Sequence, residues 1–134
     1  MRSLITLALL LATTATQAET PQQIGQAYAS EAARQQPTFT PTAKRGETFF
    51  RQRFAVNDKM PGCTSCHTDS PLKPGQHAVT GKSIQPLAVA ANSQRFSDPA
   101  KVEKWFGRNC KEVVGRPCRP GEKADFIAYM SEVH

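Results

Sequence analysis

The 134-residue sequence has no long apolar run after its first residues, and it contains only 3 Met, 3 His, 1 Trp and 2 Tyr. Its one extended apolar stretch, Leu4 to Ala12, falls well short of the ~20 residues that a membrane-spanning helix needs. Acidic residues are also scarce, 11 against 17 Lys and Arg, for a formal charge of +6. With 39% hydrophobic and 21% charged residues the chain is neither disordered in composition nor collagenous, and the absence of any repeat excludes a solenoid. There are four cysteines, and their placement carries the information.

The first residues read as a leader. Met1-Arg2 gives a positive start, Leu4 to Ala12 the apolar segment, and Ala18 after Thr16-Gln17 a cleavage site, so residues 1–18 are expected to be a secretory signal peptide. In a bacterium the destination is the periplasm, where disulfides persist and nucleic acid is absent. The basic balance then points to acidic protein partners or to solubility, not to nucleic acid.

Past the leader, Thr20-Pro21-Gln22-Gln23 has the form of a capping box, and Ile24, Ala27 and Tyr28 follow at helical spacing until Pro37. Residues 19–41 are therefore expected to form an N-terminal extension helix and a linker. Residues 42–134 are expected to form the main domain. A second helix is expected from Thr42 through Phe50, with Gly46 marking the close approach of another element. Residues 68–97, punctuated by Pro71, Pro74, Gly75, Gly81 and Pro86, read as loop. So long an irregular stretch suits a small domain only where a large prosthetic group replaces side-chain core.

A third helix has Asp98 at its N-cap and Pro99 at its first position, and Gly115 stands where it would end. It places Val102, Trp105, Phe106 and Val113 on one stripe and Lys101, Lys104, Arg108 and Lys111 opposite. A fourth begins near Gly121 and carries Ala124, Phe126, Ile127, Tyr129 and Met130. The fold class is all-α with long loops.

Cys63-Thr64-Ser65-Cys66-His67 has the spacing of a c-type haem attachment site. Two intervening residues set both thiols at one edge of a macrocycle, and the adjoining imidazole reaches the iron from one side. A thioredoxin-like pair would need a βαβ pattern, which is missing. Zinc would need a second pair with knuckle spacing, which Cys110 and Cys118 lack. One covalently attached haem c is therefore the expected cofactor, with His67 as axial ligand. Cys110 and Cys118, left over in an oxidising compartment, form either a disulfide or two buried thiols.

The second axial position is less direct. No Met occurs between Thr68 and Tyr129, and the one His there, His77, follows the attachment site in a Pro/Gly loop. Met60 precedes the motif, Met130 belongs to the terminal helix and His134 ends the chain. On the third helix Asn109 falls at about −20° from Val102, between Trp105 at about −60° and Phe106 at about +40°. Its amide, on an otherwise apolar stripe, needs a partner: the iron, or a backbone carbonyl or buried water. Asn92 is the other amide available.

The stretches Thr80 to Ala88, Arg95 to Trp105, Arg108-Asn109-Cys110 and Gly121 to Asp125 resemble the sphaeroides haem protein (SHP) family of class I c-type cytochromes, over about residues 42–130. That resemblance implies the class I cytochrome c fold and an Asn109 that ligates ferric iron and leaves on reduction. It also implies a ferrous site open to oxygen or nitric oxide and a Cys110–Cys118 disulfide beside it; Trp105, one turn before Asn109, is expected either to wall the haem pocket or to be plain core. The partners it implies are a diatomic gas ligand, a dihaem cytochrome c and a membrane cytochrome b. The function expected is electron transport coupled to diatomic ligand binding. A plain six-coordinate electron carrier using His77, and a small-molecule reductase, are the other readings.

Overall fold

A computed structural model describes residues 18–134, so the expected leader lies, up to residue 17, outside the described residues. The elements are α1 (Pro21–Gln35), α2 (Ala43–Arg51), α3 (Thr64–His67), the two-residue strands β1 (Gly75–Gln76) and β2 (Ser83–Ile84), α4 (Pro99–Asn109), a π-helix (Cys110–Val114) and α5 (Pro120–Glu132). The chain is thus helical as expected, with one addition: β1 and β2 pair antiparallel inside the stretch read as loop. Strands this short leave no alternation in the sequence to detect.

Helix α5 is the centre of the molecule. Ala124, Asp125, Phe126, Ile127, Tyr129 and Met130 are all buried, and burial on several sides means that it is covered from more than one direction. On one side lies α1, whose Gly25 faces Ile127 and whose Ile24 joins Ile127 and Val102 in one cluster. The capping box closes as expected, with the Gln23 amide N–H on Thr20 Oγ1 (3.2 Å) and the Thr20 N–H on Gln23 Oε1 (2.8 Å). The packed stripe of α1 is Ile24, Gly25, Ala29 and Ala32; Ala27, expected on it, is exposed. Gly25 and Ala29 take its place because helix–helix contact here demands small residues.

On the other side α2 crosses α5 at Gly46, where a Cβ would be driven into the Asp125 carbonyl and would come within 2.8 Å of Tyr129 Cβ. One turn on, Phe50 is fully buried against Phe126 and Tyr129, with ring centroids 6.2 and 5.9 Å away. Burying a side chain of this size contributes about 1.5–3 kcal/mol. The same crossing buries Asp125, whose carboxylate accepts from the Thr42 backbone N–H (2.7 Å) and from Arg45 Nε and Nη2 (2.8 Å each). A buried carboxylate needs such partners.

Helix α4 is clasped to α1 and α5. Tyr28 Oη donates to Glu103 (2.6 Å), Lys123 Nζ donates to both Glu103 oxygens (2.9 and 2.7 Å), and Lys123 lies 4.8 Å from the Tyr28 ring centroid. The Asp98 cap forms as expected, accepting from the Lys101 N–H (3.0 Å). The irregular 68–98 segment is pinned at defined points: Leu87 and Ala88 N–H donate to the Pro71 carbonyl (2.9 Å each), and Val89 N–H donates to Met130 O (2.9 Å).

Candidate functional site

The site begins at α3, a single turn carrying the attachment motif. Cys63 and Cys66 remain free thiols, whereas Cys110 and Cys118 are joined in a disulfide with Cα atoms 5.6 Å apart. Of the two readings left open for the latter pair, the disulfide is the one observed. Cys66 Sγ accepts the Ala78 N–H (3.3 Å), and Cys63 packs at the edge of the core that holds Phe50, Leu87 and Met130.

Burial, helped by the charge of Arg95, pushes the His67 imidazole down to about 4. At neutral pH it is therefore uncharged, the form that donates a lone pair to a metal. Gly75 closes the turn from outside, because a Cβ there would strike the Cys66 carbonyl and the His67 Cα. Two thiols and a neutral imidazole on one turn match what a covalently tethered haem requires, so the residues present fit that group.

Two non-glycine residues among those described have positive φ, Thr68 (59°) and Phe96 (56°). Each costs about 1–3 kcal/mol, and such strain concentrates where function over-determines the backbone. Thr68 follows His67 directly; Phe96 follows Arg95.

The stripe expected on α4 splits in two. Val102 and Phe106 pack on protein, Phe106 lying edge-to-face with Phe126 (5.7 Å) and Tyr28 (5.9 Å). Trp105, 43% exposed, and Asn109, also exposed, flank that stripe without joining the protein core. The expectation of an amide buried among protein side chains is corrected accordingly. Asn109 caps no backbone group of the turn after it.

The helix also changes character at this residue. α4 ends at Asn109, and the chain widens into the π-turn Cys110–Val114, closed by the Gly115 N–H on the Cys110 carbonyl (3.0 Å). Extrapolating α-helical phase to Val113 therefore fails: Val114 is buried and Val113 only half-buried. The wider turn brings Cys110 and Val114 inward together, where they pack with Cys118, Phe49, Phe54 and Phe106. Spacing gave no hint of this, since a π-turn is set by the cross-link and the core. Removing the disulfide as Cys110→Ala/Cys118→Ala is expected to lower stability by about 2.5 kcal/mol, the loop entropy of so short a ring. It should also raise amide hydrogen exchange at residues 110–114; unchanged exchange there would show that the π-turn stands without it.

The other donors considered for the iron are Met60, Met130, His77 and His134. Met130 and Met60 are buried in protein. His77 Nδ1 accepts the Val79 and Thr80 N–H groups of its own turn (3.2 Å each), next to Ala78, which holds Cys66. His134 Nδ1 lies 2.6 Å from the Glu132 carbonyl at an exposed end. Arg95 lies at the start of the stretch Arg95 to Trp105, and no periodic pattern leads to it.

Comparison with known proteins gives one family model, a domain of unknown function (DUF1924), matching residues 36–130. Cytochrome c'' of Methylophilus methylotrophus is 44% identical over 91 residues, 67% of this chain and 63% of that protein, so the match spans less than two thirds of the relative. The cytochrome c-type protein SHP of Cereibacter sphaeroides is 47% identical over 90 residues, 66% of this chain and 69% of its own. The structure of oxidised SHP, described as an oxygen-binding cytochrome c, superposes with a TM-score of 0.78 at 40% identity, covering 85% of this chain and 97% of that one. Oxidised cytochrome c'' also gives a TM-score of 0.78, at 37% identity, covering 85% and 94%.

Proposed function

Since the chain belongs to the DUF1924 family, with SHP and cytochrome c'' as relatives and a single covalently bound haem c as cofactor, we propose that it is a redox-gated, diatomic-binding cytochrome whose distal side is closed by Asn109. The observation that carries the reading is the division of α4: Asn109 and Trp105 remain outside the protein core, while Met60, Met130 and His77 are committed elsewhere. Haem c, when bound, supplies a one-electron couple and one coordination position that the protein need not fill.

The chain's own residues do the rest. Cys63 and Cys66 would tether the ring, and neutral His67 would ligate its iron. The Asn109 carboxamide oxygen is a hard, weak donor, suited to Fe(III) and poorly to Fe(II). It would hold a ferric iron and release a ferrous one, which would free the amide N–H to donate to oxygen or nitric oxide. Trp105, one turn earlier, would wall the same side of the site. The leader-like start supports export to the periplasm. The exposed Lys101, Lys104 and Lys111 support docking of an acidic redox partner, with a dihaem cytochrome c and a membrane cytochrome b as the partners in this reading.

Carbon monoxide tests it. Reduced holoprotein is expected to bind one equivalent rapidly, with the spectral change complete on mixing. Spectra inert to the gas in both redox states would establish a plain electron carrier instead.

A further inference from the structure

The hairpin formed by β1 and β2 is closely bonded although it is exposed. Its register pairs Gly75 with Ile84 and Gln76 with Ser83, and the turn is closed by the His77 N–H on the Lys82 carbonyl (2.8 Å) and the Gly81 N–H on the His77 carbonyl (2.9 Å). Two side chains tie the tip further. His77 Nδ1 accepts the Val79 and Thr80 N–H groups, and Gln76 Nε2 donates to the Gly81 carbonyl (2.9 Å). A two-stranded hairpin is marginal by itself in water, so these bonds are what hold one shape at the tip. What the tip presents to solvent is an apolar side chain, Val79, 54% exposed.

The hairpin is also fixed to the attachment turn. The Ala78 N–H donates to Cys66 Sγ (3.3 Å), and Gly75 lies so close that a Cβ there would strike the Cys66 carbonyl. The tip therefore stands beside one of the two sulfurs of the motif. Charge around it has a single sign. No Asp or Glu occurs between Asp69 and Asp98, whereas Lys73 and Lys82 flank the hairpin and are both exposed. Arg95, further along the same stretch, is half-buried and clamped by the Pro86 and Gln85 carbonyls (2.8 Å from Nε and 2.6 Å from Nη2), which leaves the two lysines as the free cations there. An ordered apolar tip with a charged rim has the anatomy of a docking surface, and a rim of one sign selects a partner of the other.

We propose that this hairpin, through Lys73, Val79 and Lys82, is a surface on which an acidic redox protein docks to deliver an electron. This rests on the haem-binding reading above, and it adds to the lysines of α4 a second surface, on the attachment side. The two lysines steer a carboxylate-bearing partner, and Val79 gives the contact its apolar centre. Electron tunnelling falls steeply with distance, and the Ala78–Cys66 hydrogen bond keeps a docked tip next to the tethering sulfur. One electron leaves the partner's reduced cofactor, ferric iron becomes ferrous, and no covalent bond is made or broken.

The test is stopped-flow reduction of the ferric holoprotein by two donors: flavodoxin hydroquinone, an acidic protein, and reduced lumiflavin, which is too small to need docking. With flavodoxin the wild-type rate is expected to fall as salt is added. Lys73→Glu/Lys82→Glu should lower it about tenfold or more at low ionic strength, and Val79→Ser about fivefold at every ionic strength. With lumiflavin both variants should match wild type. Arg34→Glu/Arg53→Glu, at exposed positions away from the hairpin, makes the same change in net charge and should keep most of the flavodoxin rate. An equal loss there, a wild-type rate indifferent to salt, or hairpin variants as fast as wild type would each overturn the proposal. So would unchanged flavodoxin rates with lysine-dependent binding to phosphatidylglycerol vesicles, which would assign the surface to a membrane. A wild-type intact mass without haem would overturn the functional reading as well.

Discussion

Gly46→Ala is expected to cost about 3 kcal/mol or more, at the upper end for overpacking, because the added methyl meets backbone instead of a movable side chain. The Asp125 carbonyl cannot rotate away, and Tyr129 Cβ stands 2.8 Å from the new atom. Relief therefore requires α2 and α5 to separate. Separation loosens the packing of Phe50 on Phe126 and Tyr129, and it stretches the Arg45–Asp125 bridge. Denaturant unfolding of the holoprotein should show a lower midpoint at an unchanged slope. A midpoint equal to wild type would mean that the helices do not cross at this residue. The effect on the site is indirect but definite, since Cys63 packs on the same cluster as Phe50.

Asn109→Ala is expected to have the largest effect on the site itself. Attachment through Cys63 and Cys66 should survive, so the mass still includes one haem. The ferric spectrum, however, should change completely, to a water-bound or five-coordinate form, and carbon monoxide should bind the reduced variant at least as fast as wild type. Asn109 is exposed and belongs to none of the core clusters, so the folded state should lose well under 1 kcal/mol, as surface substitutions do. That separation of a large spectral effect from a small stability effect is diagnostic. A ferric spectrum identical to wild type would remove Asn109 from the mechanism.

The legibility of this molecule varies along the chain for physical reasons. Helix starts could be read because a cap is a local transaction: Thr20 with Gln23 and Asp98 with Lys101 involve residues three apart. Gly46 signalled a helix crossing because mid-helix glycine is costly without one. The attachment motif is contiguous, so its chemistry is visible in five letters. Ala27 misled because alanine suits either face of a helix, and only the shape of α5 decides which face turns inward. Val113 misled because the phase of α4 was extended through a segment that changes its turn.

From sequence alone follow the helical class, the thiols and imidazole that receive the haem, the second cysteine pair, and the shortage of strong donors that leaves Asn109 as a candidate. Each depends on near neighbours in the chain or on composition. Tertiary structure alone decided the π-turn, the division of α4 into a packed edge and a free one, and the clamp on Arg95. These arise where segments far apart in sequence compete for the same space: Cys118 draws Cys110 inward, Phe126 and Tyr28 claim Phe106, and the 85–86 carbonyls capture a guanidinium that no local pattern points toward.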